Sequence, residues 1–135
     1  MAKFGMGNKF ALICIAAIII ILGVLSAVFI PKYADMAMQA KISACKTSLG
    51  AIRSAVAMEY AGSASSGKAK FPPAITAALF ADNSIPRNPL NNSKSVSAVK
   101  AAPAATAVSA DGWWYIAASG RVGAYSDGKQ DTSAW

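Results

Sequence analysis

From Phe10 to Ile30 the chain reads FALICIAAIIIILGVLSAVFI, 21 residues without a charge. As an α-helix this run extends about 31 Å, which matches the hydrocarbon core of a bilayer. At 135 residues the chain has room for one domain, and a segment so apolar cannot belong to its soluble core. A membrane-spanning helix is therefore expected over residues 10–30. A secretory signal peptide is the alternative, but its apolar stretch is usually about 7 to 15 residues and ends in an A-x-A-like site. Here the run is longer and leads through IPKYADMAMQAK into further helix-forming sequence. Lys3 and Lys9 precede it with no acidic residue, whereas Lys32 and Asp35 follow it. That asymmetry places the N-terminus on the cytoplasmic side.

Past Pro31 the apolar residues Met38, Ile42, Cys45, Leu49, Ile52, Val56 and Tyr60 recur at steps of three and four. They form one face of an amphipathic helix, with Lys41, Lys46 and Arg53 between them. Such a stripe needs a sheet or a partner to cover it. The helix should stop near Tyr60, where AGSASSGKAK turns small and polar. Pro31 lacks a backbone donor and should kink or locally break the helix.

The remaining segments are shorter. Phe71-Pro72-Pro73 enters a short helical stretch, Ala74 to Ala81, and NSIPRNPLNNSKS reads as a turn-dense loop. Val96 to Val99 offers a strand, and WWYIAASGRVGAYS offers a hairpin turning at Ser119-Gly120. Trp113 and Tyr115 share one face of their strand, opposite Trp114. Packing accounts for at least one side, although three adjacent aromatics also suit base stacking. The expected fold is α+β: a long N-terminal helix, transmembrane in its first half and amphipathic in its second, packed on a small antiparallel C-terminal sheet. The divisions are residues 1–9, a short basic leader-like segment; 10–30, the apolar helix; 31–61, its amphipathic continuation; and 62–135, a loop-rich β domain.

The composition narrows function by exclusion. With no histidine, the commonest general base and the commonest nitrogen ligand for transition metals are missing. Glu59 lies beside the stripe without a second group spaced to act with it, so no enzyme is expected. Cys14 and Cys45 stand about 46 Å apart along a continuous helix, out of disulfide reach. The formal charge of +7 is scattered and fits a solvated basic surface, or contact with nucleic acid phosphate or an anionic membrane.

Taken in order, a basic leader, an apolar helix opening on Phe10-Ala11-Leu12-Ile13, an Ile30-Pro31-Lys32-Tyr33 exit, an amphipathic helix and a small sheet resemble the type IV pilin and type II secretion pseudopilin family. Members begin their mature chain with a Phe-Thr-Leu-Ile-Glu-like stretch and carry a Pro, often with Tyr two residues on, near the end of the apolar segment. Phe10 to Ile13, Pro31 and Tyr33 match at the family's spacing. The segments IPRNPLNNS and GWWYIAASGRVGAYS look like the family's C-terminal sheet region. The resemblance implies a pilin fold and a structural role in a homomeric or mixed pilin filament. The subunit would be held in the inner membrane by one span before an assembly machinery lifts it into a periplasmic or extracellular filament. In both settings Gly23 and other small residues would allow close helix approach, and Gly23 and Pro31 would mark where the helix can stretch.

Two positions depart from the family. Lys9 stands where a Gly normally precedes the cleaved bond, with Gly7 the nearest upstream Gly, so Phe10 and Asn8 are both candidate mature termini. Cys14 stands where most members bury a Glu that pairs with a neighbouring subunit's terminal amine. Either the subunit assembles without that ion pair, or its terminus is uncleaved or unusual. An uncleaved, single-pass anchored binding module is the alternative reading, and a DNA-uptake pilin is a third. Because some pseudopilins hold calcium in a C-terminal loop, Asp127 and Asp131 are candidate ligands, against the simpler reading of a solvated turn.

Overall fold

The computed structural model describes residues 5–135; Lys3, part of the expected leader, lies outside the described residues. The chain forms a helix α1 (Met6–Ser65), a 3-10 turn (Ala77–Leu79) and strands β1 (Val96–Ala98), β2 (Trp113–Ile116) and β3 (Arg121–Ala124). It divides between Gln39 and Ala40 into two compact units. A long apolar N-terminal helix and a small sheet give the α+β layout expected.

The helix runs through Pro31 without interruption, so a local break does not occur there. Proline removes one hydrogen bond of the ladder. In an apolar stretch the neighbouring amides have no better partners than the helix itself, which holds the flanking turns. The other end lies one turn beyond expectation. Gly67 takes a φ of +77°, its N–H donates to the Ala64 carbonyl at 3.0 Å, and the Lys68 N–H donates to the Ser63 carbonyl at 3.0 Å. This pair of bonds is a Schellman closure with glycine at the left-handed position. Ser65 and Ser66 add hydroxyl bonds to the Gly62 carbonyl at 2.8 and 3.2 Å. The serines that read as a helix stop instead cap its last turn.

In the unit from Ala40 onward, one core joins helix and sheet. Cys45, Leu49, Ile52 and Val56 from the predicted stripe are buried with Trp113, Tyr115, Val122, Ala124 and Ile75. Ile42 and Tyr60 at the stripe's ends are half-buried. The alternation in β2 also follows expectation: Trp113 and Tyr115 are buried and Trp114 is half-exposed. The stretch proposed as a helix over Ala74–Ala81 forms only a 3-10 turn at Ala77–Leu79.

The sheet has the order β1-β2-β3, and its expected all-antiparallel character is corrected. β2 and β3 form the antiparallel hairpin, with Trp113 opposite Ala124 and Tyr115 opposite Val122, closed by Gly120 at a φ of +68°. β1, however, runs parallel to β2, pairing Val96 with Trp113 and Ala98 with Tyr115. A parallel neighbour needs a crossover of about a dozen residues or more, and the connection 99–112 supplies it. Period-two patterning marks a strand without stating its direction, so the mixed sheet was not legible.

The loop that precedes β1 is built around Asn88, which is fully buried. Its Nδ2 donates to the carbonyls of Gly112 at 2.6 Å and Tyr125 at 3.0 Å. Its Oδ1 accepts the Leu90 N–H at 2.9 Å and the Cys45 thiol at 3.4 Å. Four partners saturate the amide, which is what makes its burial tolerable. Gly112 is required beside it, because a Cβ there would collide with the Ser93 carbonyl. Nearby loop carbonyls are met by aromatic donors: Trp113 Nε1 to Pro86 at 2.8 Å and Tyr115 Oη to Pro72 at 2.6 Å.

Candidate functional site

The residues preceding Ala40 offer one feature with functional content, an apolar helical surface open on every side. The most apolar stretch of α1 has no buried residue; Phe10 is 70 %, Ile20 67 % and Ile30 67 % exposed. Each large aliphatic or aromatic side chain left in water forgoes about 1.5–3 kcal/mol of burial. Monomeric soluble proteins rarely tolerate contiguous apolar patches beyond a few hundred Å². Among the described residues nothing covers this surface. Length and composition make it one candidate membrane-spanning helix near the N-terminus. Its small residues leave backbone accessible: a Cβ on Gly23 would meet nothing within 4 Å.

The sequence-derived positions lie along this helix and are not gathered into a site. Gly7, Lys9 and Phe10 occupy its exposed first turns, where the Asn8 and Lys9 N–H groups both reach the Gly5 carbonyl, at 2.9 and 3.4 Å. Cys14 is free and exposed, one more position available to lipid or a neighbouring helix. Tyr33 is exposed and tilts against Phe29 one turn earlier, ring centroids 6.4 Å apart. Cys45, by contrast, is buried, and desolvation pushes its thiol up to about 11. It stays protonated at neutral pH and acts as a core residue.

Asp127 and Asp131 each close a turn of their own. Asp127 Oδ1 accepts the N–H groups of Lys129 at 2.9 Å and Gln130 at 3.1 Å, and these backbone bonds hold its carboxyl below the usual range. Asp131 Oδ1 accepts the Ser133 N–H at 2.9 Å and the Ser133 hydroxyl, which likewise lowers its carboxyl. Among the described residues no group of three or more His, Cys, Asp or Glu is placed to hold a metal ion.

A second feature was not anticipated. A cavity of about 270 Å³ opens beside β3, lined in part by Arg53, Trp114, Arg121, Thr132, Ser133 and Trp135. Arg53 Nη2 donates to the Val122 carbonyl at 3.1 Å and to the main-chain oxygen of Trp135. Trp114 stands directly across the hairpin from Gly123, and any side chain at Gly123 would strike its indole. Lys46 Nζ lies 5.3 Å from the centroid of the Trp135 ring. Arg53 read as a solvated residue between stripe positions and Trp135 as part of a tail. Their separation of 82 positions left no local signal to join them.

No family model matches this chain, and neither a curated protein nor a solved structure does.

Proposed function

We propose that the chain is the structural subunit of a filament of the type IV pilin or type II secretion pseudopilin kind. In this reading α1 is stored in the inner membrane, N-terminus cytoplasmic, and then packs with copies of itself in a filament core. The observation that carries the proposal is the uncovered apolar surface of residues 10–30 followed by a separately cored α+β unit. Burial in lipid and burial among like helices are close in energy, so transfer from one to the other is feasible, with small residues favouring helix contact. Phe10, Pro31 and Tyr33 at pilin-like spacing support the same reading.

Cys14 removes the ion pair by which a buried Glu would set register, so packing of the apolar faces carries assembly. Lys9 and Cys14 also favour a second reading, an uncleaved single-pass module that displays the basic unit outside the membrane. Intact mass and N-terminal sequencing of protein from sheared surface filaments, and separately from membranes, distinguish the two. The filament proposal expects the chain in the filament fraction, beginning at Phe10 or Asn8. Intact chain confined to membranes would overturn it in favour of the anchored module. The expected binding of double-stranded DNA is weak and salt-dependent, as scattered lysines dictate; tight binding persisting at high salt would instead point to DNA uptake.

A further inference from the structure

Strand β1 lies at one edge of the sheet, paired with β2 alone. The Trp113 N–H donates to the Ser95 carbonyl at 3.1 Å and the Val99 N–H to the Tyr115 carbonyl at 2.9 Å. Main-chain groups of successive strand residues point to opposite sides, so Ser95, Ser97 and Val99 turn theirs toward β2. Those of Val96 and Ala98 face outward and have no hydrogen-bond partner among the described residues. Two donors and two acceptors thus stand at the spacing that an added strand requires.

Beside this edge lies a dimple of about 40 Å³, lined by Ala74, Ile75, Val96, Ala98 and Tyr115. Apart from Tyr115 the lining is aliphatic, and the Tyr115 hydroxyl already donates to the Pro72 carbonyl at 2.6 Å. The dimple therefore offers no free side-chain donor and suits a small aliphatic group. Alternate side chains of an added strand would point to the same face of the sheet as Val96 and Ala98.

Charge selects the occupant. Lys94 and Lys100 stand two positions outside either end of β1; both are exposed, and residues 83–110 contain no Asp or Glu. Lys94 Nζ spends one donor on Ser84 Oγ at 2.9 Å and keeps two. A second copy of β1 would bring its own lysines against these two, whichever way it ran, and like charges oppose pairing. An acidic strand meets opposite charge at both ends.

We propose that the β1 edge takes up an extended acidic peptide segment of a partner protein. Its main chain bonds to Val96 and Ala98, an aliphatic side chain sits in the dimple, and carboxylates lie against Lys94 and Lys100. This holds whether or not the chain assembles into filaments.

Fluorescence anisotropy of a labelled peptide, Glu-Glu-Ser-Val-Thr-Val-Ser-Glu-Glu, titrated with the full chain in non-ionic detergent micelles provides the test. The controls carry Lys for every Glu, or Pro for the central Thr. Saturable binding of the acidic peptide, at least roughly tenfold tighter than either control, is expected, with slowed hydrogen exchange at the Val96 and Ala98 amides. Ala98→Pro removes one outward donor and spares the bonds to β2; it should weaken binding roughly tenfold. Lys100→Glu changes only an exposed side chain and should weaken it about threefold or more, and it decides the matter if Ala98→Pro does not fold. Unchanged affinity in Lys100→Glu, or in Ala98→Pro with an intact unfolding curve, would overturn the proposal. Equal affinity for the lysine or proline peptide, no saturable binding, or slowed exchange only at other amides would do the same. Protection of Val96 and Ala98 that rises with protein concentration, without peptide, would give the edge to a second copy instead.

Discussion

The two compact units use similar side chains to opposite ends. Up to Gln39, isoleucine, leucine and valine stand exposed around the helix; from Ala40 onward the same residue types, at steps of three and four, vanish into a core with Trp113 and Tyr115. What separates them is the polar residues in between. Lys41, Lys46 and Arg53 give the second stretch a wet face and hence one dry one, whereas residues 10–30 have no wet face. One unit closes a core of its own, and the other leaves its apolar surface open.

That contrast is sharpest for core truncation, measured by urea unfolding of the full chain in mild detergent and followed by tryptophan emission. Trp113→Phe keeps an emission signal and gauges the fit of the site. Leu49→Ala at the helix side of the core should cost about 2–5 kcal/mol. Ile20→Ala, in the exposed apolar stretch, should leave the same unfolding curve within about 0.5 kcal/mol. Equal losses at the two positions would break the comparison, since residue 20 would then support the folded core.

Asn88 comes next in expected effect. Asn88→Ala strands the Tyr125 carbonyl and the Leu90 N–H and leaves the Gly112 carbonyl only the Tyr125 N–H, and should destabilise the Ala40–Trp135 unit by about 2–3 kcal/mol by the same assay. A neutral result would mean that water replaces the amide and that the loop is not organised by it.

The buried thiol gives a pH dependence in one direction. Folding raises the Cys45 pKa from 9.0 to about 11, so its contribution is fully present below pH 9 and is lost as pH rises toward 11. Burial raises the Tyr115 phenol as well, adding to the loss at the alkaline end. The unfolding free energy should fall by about 1–2 kcal/mol as pH rises from 9.0 to about 11. Cys45→Ala should lie lower at pH 8.5 and show a shallower decline. An equal slope in that variant would assign the decline to other groups.

The smallest effect concerns the helix end. Gly67→Ala places a side chain at a φ of +77°, where an L-residue pays about 1–2 kcal/mol. Steric collision is not involved, because a Cβ there meets nothing within 4 Å. Gly67→Asn, which tolerates the left-handed region better, should recover part of the loss; no difference between the two would show that the Schellman closure is dispensable.

Several features were legible because their signals are local. A charge-free run of membrane length, a stripe at helical spacing, and a Ser-Gly turn between alternating aromatics each state their structure within a dozen or so neighbours. The pilin-like placing of Phe10, Pro31 and Tyr33 is likewise a linear spacing, and it supports the proposed filament role. Single residues were weaker guides: Pro31 suggested a kink or local break, and no break occurs, while the serines after Tyr60 suggested an earlier stop. In both cases helix cooperativity and capping outweighed the preference of a single residue.

The sequence by itself determined that the chain carries an apolar helix needing cover, an amphipathic continuation whose dry face is Cys45, Leu49, Ile52 and Val56, and a β-hairpin to pack on it. Only the tertiary structure decided that β1 lies parallel to β2, that Asn88 closes the loop from inside, and that Arg53, Arg121, Trp114 and Trp135 line one cavity. The physical reason is range. Periodicity and turn chemistry act between residues a few positions apart, whereas strand direction, buried amide pairing and a pocket's lining are set by contacts that close tens of residues of chain.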